Sequence, residues 1–392
     1  MDEKESKVFF SPLDNDFNQI EISVLEEPII YVASCTDVII KNITIECSRG
    51  TGIQVSQSNN IKIDSCIFRN LGNLGVKIDA SCNNSGIENS YVYQTGSGGI
   101  ELNGGDRKKL IPGNNYARNC RIHDFNRLER SYRPGIYLKG AGNKVSNVEI
   151  YNAPSMAIYI KGNNHKIEYA DIHHVCEEVY DQGAIYYGRN PTERGHSISY
   201  SYFHDIQSTY AVTAIYHDDG ACGMKVHGCI FNNISSAPVL IGGGQDITYT
   251  NNLFMNLPYA IQIDNRLQKW QSYAKWLEPD GEYDKKFKEV NYTQPPYSKA
   301  YPELIGYWKN HPEIPQRNMI KNNLFFKVDK LIKGESAFLI LKENLQTKSN
   351  PGLVDEKDPI KGWKDYNIKK TAPFFTGIPT SKIGCDLPIL KQ

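Results

Sequence analysis

The sequence predicts an all-β fold, a right-handed parallel β-helix, because one short motif recurs along most of the chain. The motif has six positions: an apolar residue, any residue, Asn or a small residue, any two residues, and a second apolar residue. Its copies end at Ile45, Phe68, Val92, Ile122, Ile150, Ile172, Phe203, Phe231, Phe254 and Phe325. Successive copies lie 23, 24, 30, 28, 22, 31, 28, 23 and 71 residues apart. A short repeat with loops of varying length is typical of stacked β-coils, in which each coil contacts its neighbours.

Each coil contains a second strand, in which apolar and polar residues alternate. These strands read GVKID, GIELN, GIYLK, AIYIK, AIYYG, AIYHD, VLIGG and AIQID. The period of two excludes helical repeats, and the pattern lacks the leucines of a leucine-rich repeat. Alternation directs one set of side chains inward: Ile136, Leu138, Ile158, Ile160, Ile215, His217, Ile261 and Ile263.

Asparagine and cysteine recur at fixed places in the repeat, and we interpret both as structural. Asn tolerates turn conformations, and its amide can bond neighbouring coils. The asparagines concerned are Asn42, Asn89, Asn119, Asn147, Asn251 and Asn322. The nine cysteines form no CxxC pair, which argues against a zinc ribbon and favours buried thiols.

The chain is expected to form one domain. Residues 1–30 lead into coils over 31–265, an insertion spans 266–317, a last coil spans 318–345, and 346–392 form a tail. The insertion contains three tryptophans and the segment LQKWQSYAKWLE, which has helical spacing. We expect the insertion to fold over one face of the solenoid and the tail to close its C-terminal end.

Charge and hydropathy restrict the partners. The 44 basic residues balance 44 acidic ones, which argues against binding nucleic acid or an anionic membrane. No segment approaches the roughly 20 apolar residues of a membrane helix, and the N-terminus does not resemble a signal peptide. Localisation is therefore undetermined, and it is extracellular or periplasmic if an export segment precedes this chain. We expect a monomer.

Stacking turns each outward position of the second strand into a column of side chains about 4.8 Å apart. One column reads Lys77, Glu101, Tyr137, Tyr159, Tyr186, Tyr216, Leu240, Gln262. Its four successive tyrosines have two interpretations: a ladder that stabilises the sheet, or a platform for the apolar faces of sugar rings.

The next outward column is charged and predicts a glycan-binding groove. It contains Lys139, Lys161, Asp218 and Asp264, and Arg189, Asp219, Arg266 and His217 adjoin it. Asp181 lies in the turn before the AIYYG strand, one coil from Asp218. The two carboxyls are therefore expected ~5–6 Å apart, which suits the carboxylate pair of a retaining glycosidase. Asp218 and Asp264 lie two coils apart, near the roughly 9–10 Å limit for an inverting pair. The acidic candidates for catalysis are Asp181, Asp218, Asp219 and Asp264.

A third column follows the first strand: Tyr93, His123, Tyr151, His173, His204 and Asn232. His173 and His204 lie in adjacent coils, and with Asp205 they could form a metal site. Hydrogen bonds to loop backbones are the favoured interpretation, so we predict neither a metal nor another cofactor.

Residues ~165–392 resemble the right-handed β-helix enzymes grouped around glycoside hydrolase family 141. The phrases that carry this resemblance are YDQGAIYYGRNPTERGHSISYSYFHDI, AIYHDDGACGMKVHGCIFNNI, IGGGQDITYTNNLF, AIQIDNRLQKW, QPPYSKAYPEL and NPGLVDEKDPIKG. The resemblance implies a glycosidase of plant cell-wall glycan, of the α-L-fucosidase or xylanase type. The resemblance also implies that the acidic catalytic candidates are Asp181, Asp218 or Asp219, and Asp264. It implies that Arg189 and Arg266 lie in the groove. His217 and Gln245 depart from the family pattern.

The leading prediction is a glycoside hydrolase in which Asp181 and Asp218 form the carboxylate pair. In a polysaccharide lyase, Lys139, Lys161 or Arg189 would abstract a proton beside a uronate while the acidic column held Ca²⁺. A third alternative is a non-catalytic glycan-binding β-helix. Such a protein would keep the tyrosine column but would not depend on Asp181 and Asp218.

Overall fold

The chain winds into the parallel β-helix that its repeat predicts. A computed structural model describes residues 21–209, 211–363 and 378–388, together with residues 4, 5, 7 and 9. Within this part of the chain, 28 strands form one continuous sheet in which equivalent strands of successive coils pair in parallel. The 28-stranded arrangement confirms the fold class.

The strands are short, as the brief apolar runs between turns require. They are β1 (Ile30–Ala33), β2 (Ile39–Lys41), β3 (Thr44–Ser48), β4 (Ile53–Ser56), β5 (Lys62–Asp64), β6 (Ile67–Leu71), β7 (Val76–Ile78), β8 (Gly86–Tyr93), β9 (Ile100–Leu102), β10 (Gly105–Asp106), β11 (Ile111–Pro112), β12 (Tyr116–His123), β13 (Ile136–Leu138), β14 (Lys144–Tyr151), β15 (Ile158–Ile160), β16 (Lys166–Glu168), β17 (Asp171–His173), β18 (Gly183–Gly188), β19 (Ser197–Ser199), β20 (Tyr202–Ile206), β21 (Thr213–Asp218), β22 (Lys225–His227), β23 (Ile230–Ile234), β24 (Val239–Gly242), β25 (Thr248–Thr250), β26 (Leu253–Asp264), β27 (Asn318–Lys321), β28 (Leu324–Gly334), β29 (Leu339–Lys342) and β30 (Leu345–Thr347).

Each coil contributes to three faces, one more than the sequence predicted. Sheet 1 contains β3, β6, β17, β20, β23 and β30; sheet 2 contains β1, β4, β7, β9, β13, β15, β18, β21 and β24; sheet 3 contains β2, β5, β16, β19, β22, β25, β27 and β29. The longer strands β8, β12 and β14 bend from sheet 3 into sheet 1, and β26 and β28 bend from sheet 1 into sheet 2.

The corner between sheets 3 and 1 explains the recurring asparagines. Asn42, Asn89, Asn119, Asn147, Asn251 and Asn322 all adopt left-handed backbone conformations, with φ between 49° and 58°. Asn is among the few residues that tolerate this region. The Asn119 amide also donates to the Asn89 side chain at 2.7 Å, so the corner residues bond coil to coil.

The register predicted from the repeat matches the strand pairing. Ile150 pairs with Ile172, Ile172 with Phe203, and Phe254 with Phe325 across the 71-residue gap. The inward side chains are buried, and Phe203, Phe231, Phe254 and Phe325 stack with ring centres 4.7–5.1 Å apart. Inward stacks of this kind form a continuous core along the solenoid axis.

The insertion packs on the side of the solenoid with a buried aromatic cluster of its own. It contains α1 (Arg266–Lys269), α2 (Gln271–Ala274), α3 (Glu282–Lys288), α4 (Tyr297–Ala300) and 3₁₀ turns at Pro302–Leu304 and Tyr307–Lys309. LQKWQSYAKWLE therefore forms two short helices separated at Trp270 rather than one. The cluster includes Tyr283, Phe287 and Tyr297 and packs against Cys222 of the solenoid.

The described part of the tail packs along the outside of the solenoid. Leu353 and Ile378 pack on the outer face of sheet 1, against residues that include Met255 and Phe326. Residues 378–388 then run back toward earlier coils, where the Gly384 N–H bonds the Tyr169 carbonyl. Three further 3₁₀ turns lie at Ser336–Phe338, Pro359–Lys361 and Thr380–Lys382.

Most cysteines are buried between coils as expected. Cys66, Cys82, Cys120, Cys176, Cys222 and Cys229 are buried free thiols, Cys35 and Cys385 are half-buried, and Cys47 is exposed. Across the residues that the structure describes, no helix combines the length and apolar character needed to cross a membrane.

Candidate functional site

A pocket of about 520 Å³ opens on the outer face of sheet 2, where the insertion leaves the solenoid. Its floor comes from strands β21, β24 and β26, the segments on either side of β18 contribute Asp181 and Arg189, and the first helices of the insertion form one wall. The lining residues are Tyr180, Asp181, Arg189, Ala211, Thr213, Tyr216, Asp218, Asp219, Ser236, Leu240, Gln262, Asp264, Arg266, Trp270, Tyr273 and Lys333. All four predicted aspartates and both predicted arginines line this one pocket.

Arg266 lies at the centre of the acidic residues and organises them. Its Nη1 atom lies 2.7 Å from Oδ1 of Asp218 and 3.1 Å from Oδ1 of Asp219. Its Nε and Nη2 atoms donate to the two oxygens of Asp264 at 2.9 and 2.8 Å. The guanidinium is only 6% exposed, and a buried cation of this geometry stabilises ionised carboxylates that would otherwise repel one another.

Asp218 and Asp219 are neighbouring buried carboxyls with different surroundings. Burial and the negative charge of Asp219 raise the pKa of Asp218 to about 6. Asp219 instead accepts hydrogen bonds from two arginines, Arg266 and the exposed Arg189, the latter at 3.1 Å. The pair therefore has one carboxyl whose pKa is raised to about 6 and a second carboxyl that two arginines contact.

Asp181 is the exposed carboxyl of the group. It lies at the rim of the pocket and accepts a hydrogen bond of 2.9 Å from the Tyr216 hydroxyl. Tyr216 in turn lies 3.1 Å from Nη1 of Arg266, which contacts Asp218. A continuous set of hydrogen bonds thus fixes the exposed Asp181 relative to the buried Asp218.

The tyrosine column follows the predicted register but does not form an open platform. The rings of Tyr137 and Tyr159 stack on each other, 4.9 Å apart and 3° from parallel. Tyr186 and Tyr216 are only 6% and 4% exposed, and their hydroxyls bond Asp218 and Asp181. The ladder interpretation fits this packing. Tyr186 and Tyr216 hydrogen-bond the aspartates rather than offering a face to a sugar.

The exposed aromatic face belongs to a residue that sequence reasoning did not assign to the site. Trp270 is 49% exposed and lines the pocket, with Arg266 5.1 Å from its ring centre. Tyr273 lies beside it and bonds Asp219. The tryptophan-rich composition of the insertion was the available signal, because Trp next to a strand end that carries Asp264 suggests a ligand contact.

The two predicted lysines lie outside this pocket. Lys139 lies over the Tyr137 ring, pairs with Glu101 at 3.1 Å and lines a separate pocket of about 340 Å³. The Lys161 amino group lies 3.4 Å from the Gly188 carbonyl. Neither lysine is brought together with the aspartates.

His217 is a correction among the predicted binding residues. Strand alternation directs it into the solenoid, where it is fully buried between Tyr187 and Tyr249. Its two ring nitrogens lie 3.0 and 2.7 Å from the hydroxyls of these tyrosines. Burial lowers the pKa of His217 to about 3, so the ring is neutral and structural, and it does not reach the pocket.

The histidine column on sheet 1 also differs from its favoured interpretation. The His204 ring bonds two carboxylates rather than loop backbone, with Nδ1 2.7 Å from Asp205 and Nε2 3.0 Å from Asp171. His173 stacks on His204 with ring centres 4.6 Å apart. The potential ligand atoms of Asp171, His173 and His204 lie within 4.8 Å of one another.

Comparison with known proteins agrees with the architecture. A family model described as right handed beta helix region matches residues 12–128 and 134–268, well over half of the chain. No curated protein matches.

Three solved structures are similar at low identity. A glycoside hydrolase has a TM-score of 0.32 and 13% identity, over 52% of this chain and 35% of its own, so the chain spans about a third of that protein. A PL6 alginate lyase in complex with a trisaccharide has a TM-score of 0.47 and 10% identity, over 96% and 92% of the two chains. The alginate lyase AlyF-OU02 in complex with G6 has a TM-score of 0.34 and 11% identity, over 94% and 90%.

Proposed function

The chain belongs to the right-handed β-helix family, and we propose that its sheet 2 pocket hydrolyses glycosidic bonds. The observation that carries the proposal is the pairing of two unlike carboxyls in one pocket. Asp218 is buried with its pKa raised to about 6, and Asp181 is exposed and held by Tyr216. Hydrolysis of a glycosidic bond needs one carboxyl that donates a proton and another that is ionised.

In this mechanism Asp218 is the general acid. Its proton passes to the glycosidic oxygen as the bond to the anomeric carbon breaks, and the leaving sugar departs as an alcohol. The Tyr186 hydroxyl, 2.5 Å from Oδ2 of Asp218, orients the carboxyl and accommodates the anion that remains. The nearby Arg266 guanidinium stabilises the same anion.

Asp181 is the second carboxylate, acting as nucleophile or as the base that deprotonates water. Three successive contacts of 2.9, 3.1 and 2.7 Å, through Tyr216 and Arg266, connect it to Asp218. Asp219 and Asp264 hold Arg266 in place and are positioning residues. Trp270 supplies an apolar face against which a sugar ring can stack.

The finer substrate assignment rests on the resemblance to glycoside hydrolase family 141. It supports a plant cell-wall glycan as substrate, with α-L-fucosidase or xylanase action.

The lyase alternative fits these residues less well. A Ca²⁺ ion would need the space between Asp218, Asp219 and Asp264, and the Arg266 guanidinium fills it. Lys139 and Lys161 lie outside the pocket. Arg189 does line it, so this alternative is kept as an outcome of the test.

The test is incubation of the protein with pectic and xylan oligosaccharides, with products followed by mass spectrometry. We expect products heavier by one water, lost in Asp218→Asn and Asp181→Asn. Asp79→Asn is the matched control, because Asp79 occupies the same repeat position as Asp218 in an earlier coil and lies outside the pocket. Unsaturated products would instead establish a lyase. Binding without any product would establish a glycan-binding module.

A further inference from the structure

A second cluster of functional groups lies on sheet 1, on a different face from the pocket. Glu149 pairs with Asp171 on the neighbouring strand, and His173 pairs with His204 in the same way. Asp171 and His173 are separated by the inward-facing Ile172, so both project outward. Two carboxylates and two imidazoles thus project from three successive strands, Glu149 from β14, Asp171 and His173 from β17, and His204 from β20.

The contacts within the patch direct nitrogen and oxygen atoms toward each other. His204 Nε2 lies 3.0 Å from Asp171 Oδ1, and His173 Nε2 lies 3.6 Å from Glu149 Oε1. Separations of this size between donor atoms are compatible with a common ion, since zinc binds imidazole nitrogen and carboxylate oxygen at about 2.0–2.2 Å. All four side chains are half-buried.

The outer ring nitrogen of His204 is held as that of a metal-ligating histidine usually is, and that of His173 contacts a second histidine. His204 Nδ1 bonds the Asp205 carboxylate at 2.7 Å, and His173 Nδ1 lies 2.8 Å from Nδ1 of His174. A bond from the outer nitrogen to a carboxylate fixes the tautomer and leaves the other nitrogen free to bind a metal. The planes of the His173 and His204 rings differ by 23°, whereas the planes of the Tyr151 and His173 rings differ by 6°.

The tail covers the patch. The Gly384 N–H bonds the Tyr169 carbonyl, and a side chain at Gly384 would lie 3.8 Å from a carboxylate oxygen of Asp171. The thiol of Cys385 lies 3.8 Å from Glu149. Partial burial of this kind lowers the effective dielectric and strengthens the attraction between the carboxylates and a cation.

We propose that Asp171, His173 and His204, with Glu149 as a fourth donor, bind a divalent transition metal ion. Mixed imidazole and carboxylate ligands suit zinc, copper, nickel or iron better than calcium or magnesium. The site is independent of the proposed hydrolase activity, because none of its residues lines the sheet 2 pocket.

The test is calorimetric titration of the full chain, prepared without a histidine tag, with Zn²⁺ at neutral pH. We expect one tightly bound ion. His204→Ala and His173→Ala should each weaken binding by about 100-fold or more, because even loss of an outer partner costs roughly 10- to 100-fold. Asp205→Asn should weaken it by roughly 10-fold.

Two control variants separate this site from other zinc ligands. His123→Ala removes a histidine of the same column that stacks between Tyr93 and Tyr151, with no histidine on either neighbouring strand. Cys47→Ser removes the exposed thiol. Both should bind zinc as the unaltered chain does, and the Co²⁺-loaded protein should lack a thiolate charge-transfer band. The proposal would be overturned if the unaltered chain did not bind zinc. It would also be overturned if His173→Ala and His204→Ala bound zinc as tightly as the unaltered chain.

Discussion

The Tyr186 hydroxyl donates to Oδ2 of Asp218 at 2.5 Å, although strand alternation places Tyr186 on the outer face of sheet 2. An outward tyrosine reaches a buried carboxyl because Asp218 belongs to the next coil and lies two positions further along its strand than Tyr216, the partner of Tyr186. The hydrogen bond favours the ionised carboxyl and so opposes the effects of burial and of Asp219 on the pKa of Asp218.

Tyr186→Phe should raise the pKa of Asp218 further, because the substitution removes a donor that stabilises the anion. If Asp218 is the general acid, activity falls as pH rises through its pKa, near 6 in the unaltered chain. The fall should move to higher pH in the variant. The measurement is kcat/KM against pH for both proteins, and a shift to lower pH would contradict the role given to Tyr186.

The raised pKa of Asp218 also predicts a dependence of stability on pH. Asp218 ionises near its ordinary value of 3.8 in the unfolded chain but near 6 in the folded one. Raising the pH from 4 to above 6 therefore removes stability, by roughly 1–3 kcal/mol from this group. Asp218→Asn should match the unaltered chain near pH 4 and become relatively more stable above pH 6.

Chemical denaturation of both proteins at pH 4, 5, 6 and 7.5 would measure this difference. Taking the difference between two proteins cancels the titration of groups that do not interact with Asp218. A relative stability of Asp218→Asn that declines with rising pH would show that Asp218 is ionised more easily in the fold than in the unfolded chain.

Arg266→Met should destabilise the fold strongly. The substitution leaves Asp218, Asp219 and Asp264 without the buried cation they share, and breaking a buried ion pair on one side costs about 3–5 kcal/mol. The loss should be smaller at pH 4, where protonation relieves the repulsion. Arg189→Met is the control, since Arg189 is exposed and forms its ion pair with Asp219, so about 1 kcal/mol or less is expected.

His217→Leu tests the placement of this residue inside the solenoid. The variant leaves the hydroxyls of Tyr187 and Tyr249 without their partner in a buried setting, at a cost of about 1–3 kcal/mol. Affinity for oligosaccharides should be unchanged once the variant is folded. Weaker binding by a variant with an unaltered circular dichroism spectrum would return His217 to the site.

The repeat predicted the long-range pairing because strands of one solenoid face stack in register. Gly188 beside Asp218 and Gly242 beside Asp264 follow from that rule alone. The same rule could not predict which outward residues would be covered. Tyr186 is buried partly by Tyr132, whose ring lies 6.2 Å away and comes from a loop more than 50 residues earlier that does not repeat.

The detailed paths of the insertion and the tail could not be predicted for the same physical reason. The path of a loop depends on the surfaces that bury its apolar side chains, and no periodic pattern encodes it. Trp270 was visible in the sequence, but its position beside Arg266 depends on how α1 and α2 leave the solenoid.

Trp270→Ala should weaken the binding of oligosaccharides without unfolding the protein. The ring is 49% exposed, so its loss removes little core packing, whereas a sugar ring stacked on it loses about 0.5–1.5 kcal/mol, or up to roughly tenfold in affinity. Tyr137→Leu is the matched control, because that ring stacks on Tyr159 and lies outside the pocket. Titration of both variants with one oligosaccharide would decide which aromatic surface the glycan uses. Weakening by Tyr137→Leu alone would transfer the binding surface to the tyrosine column.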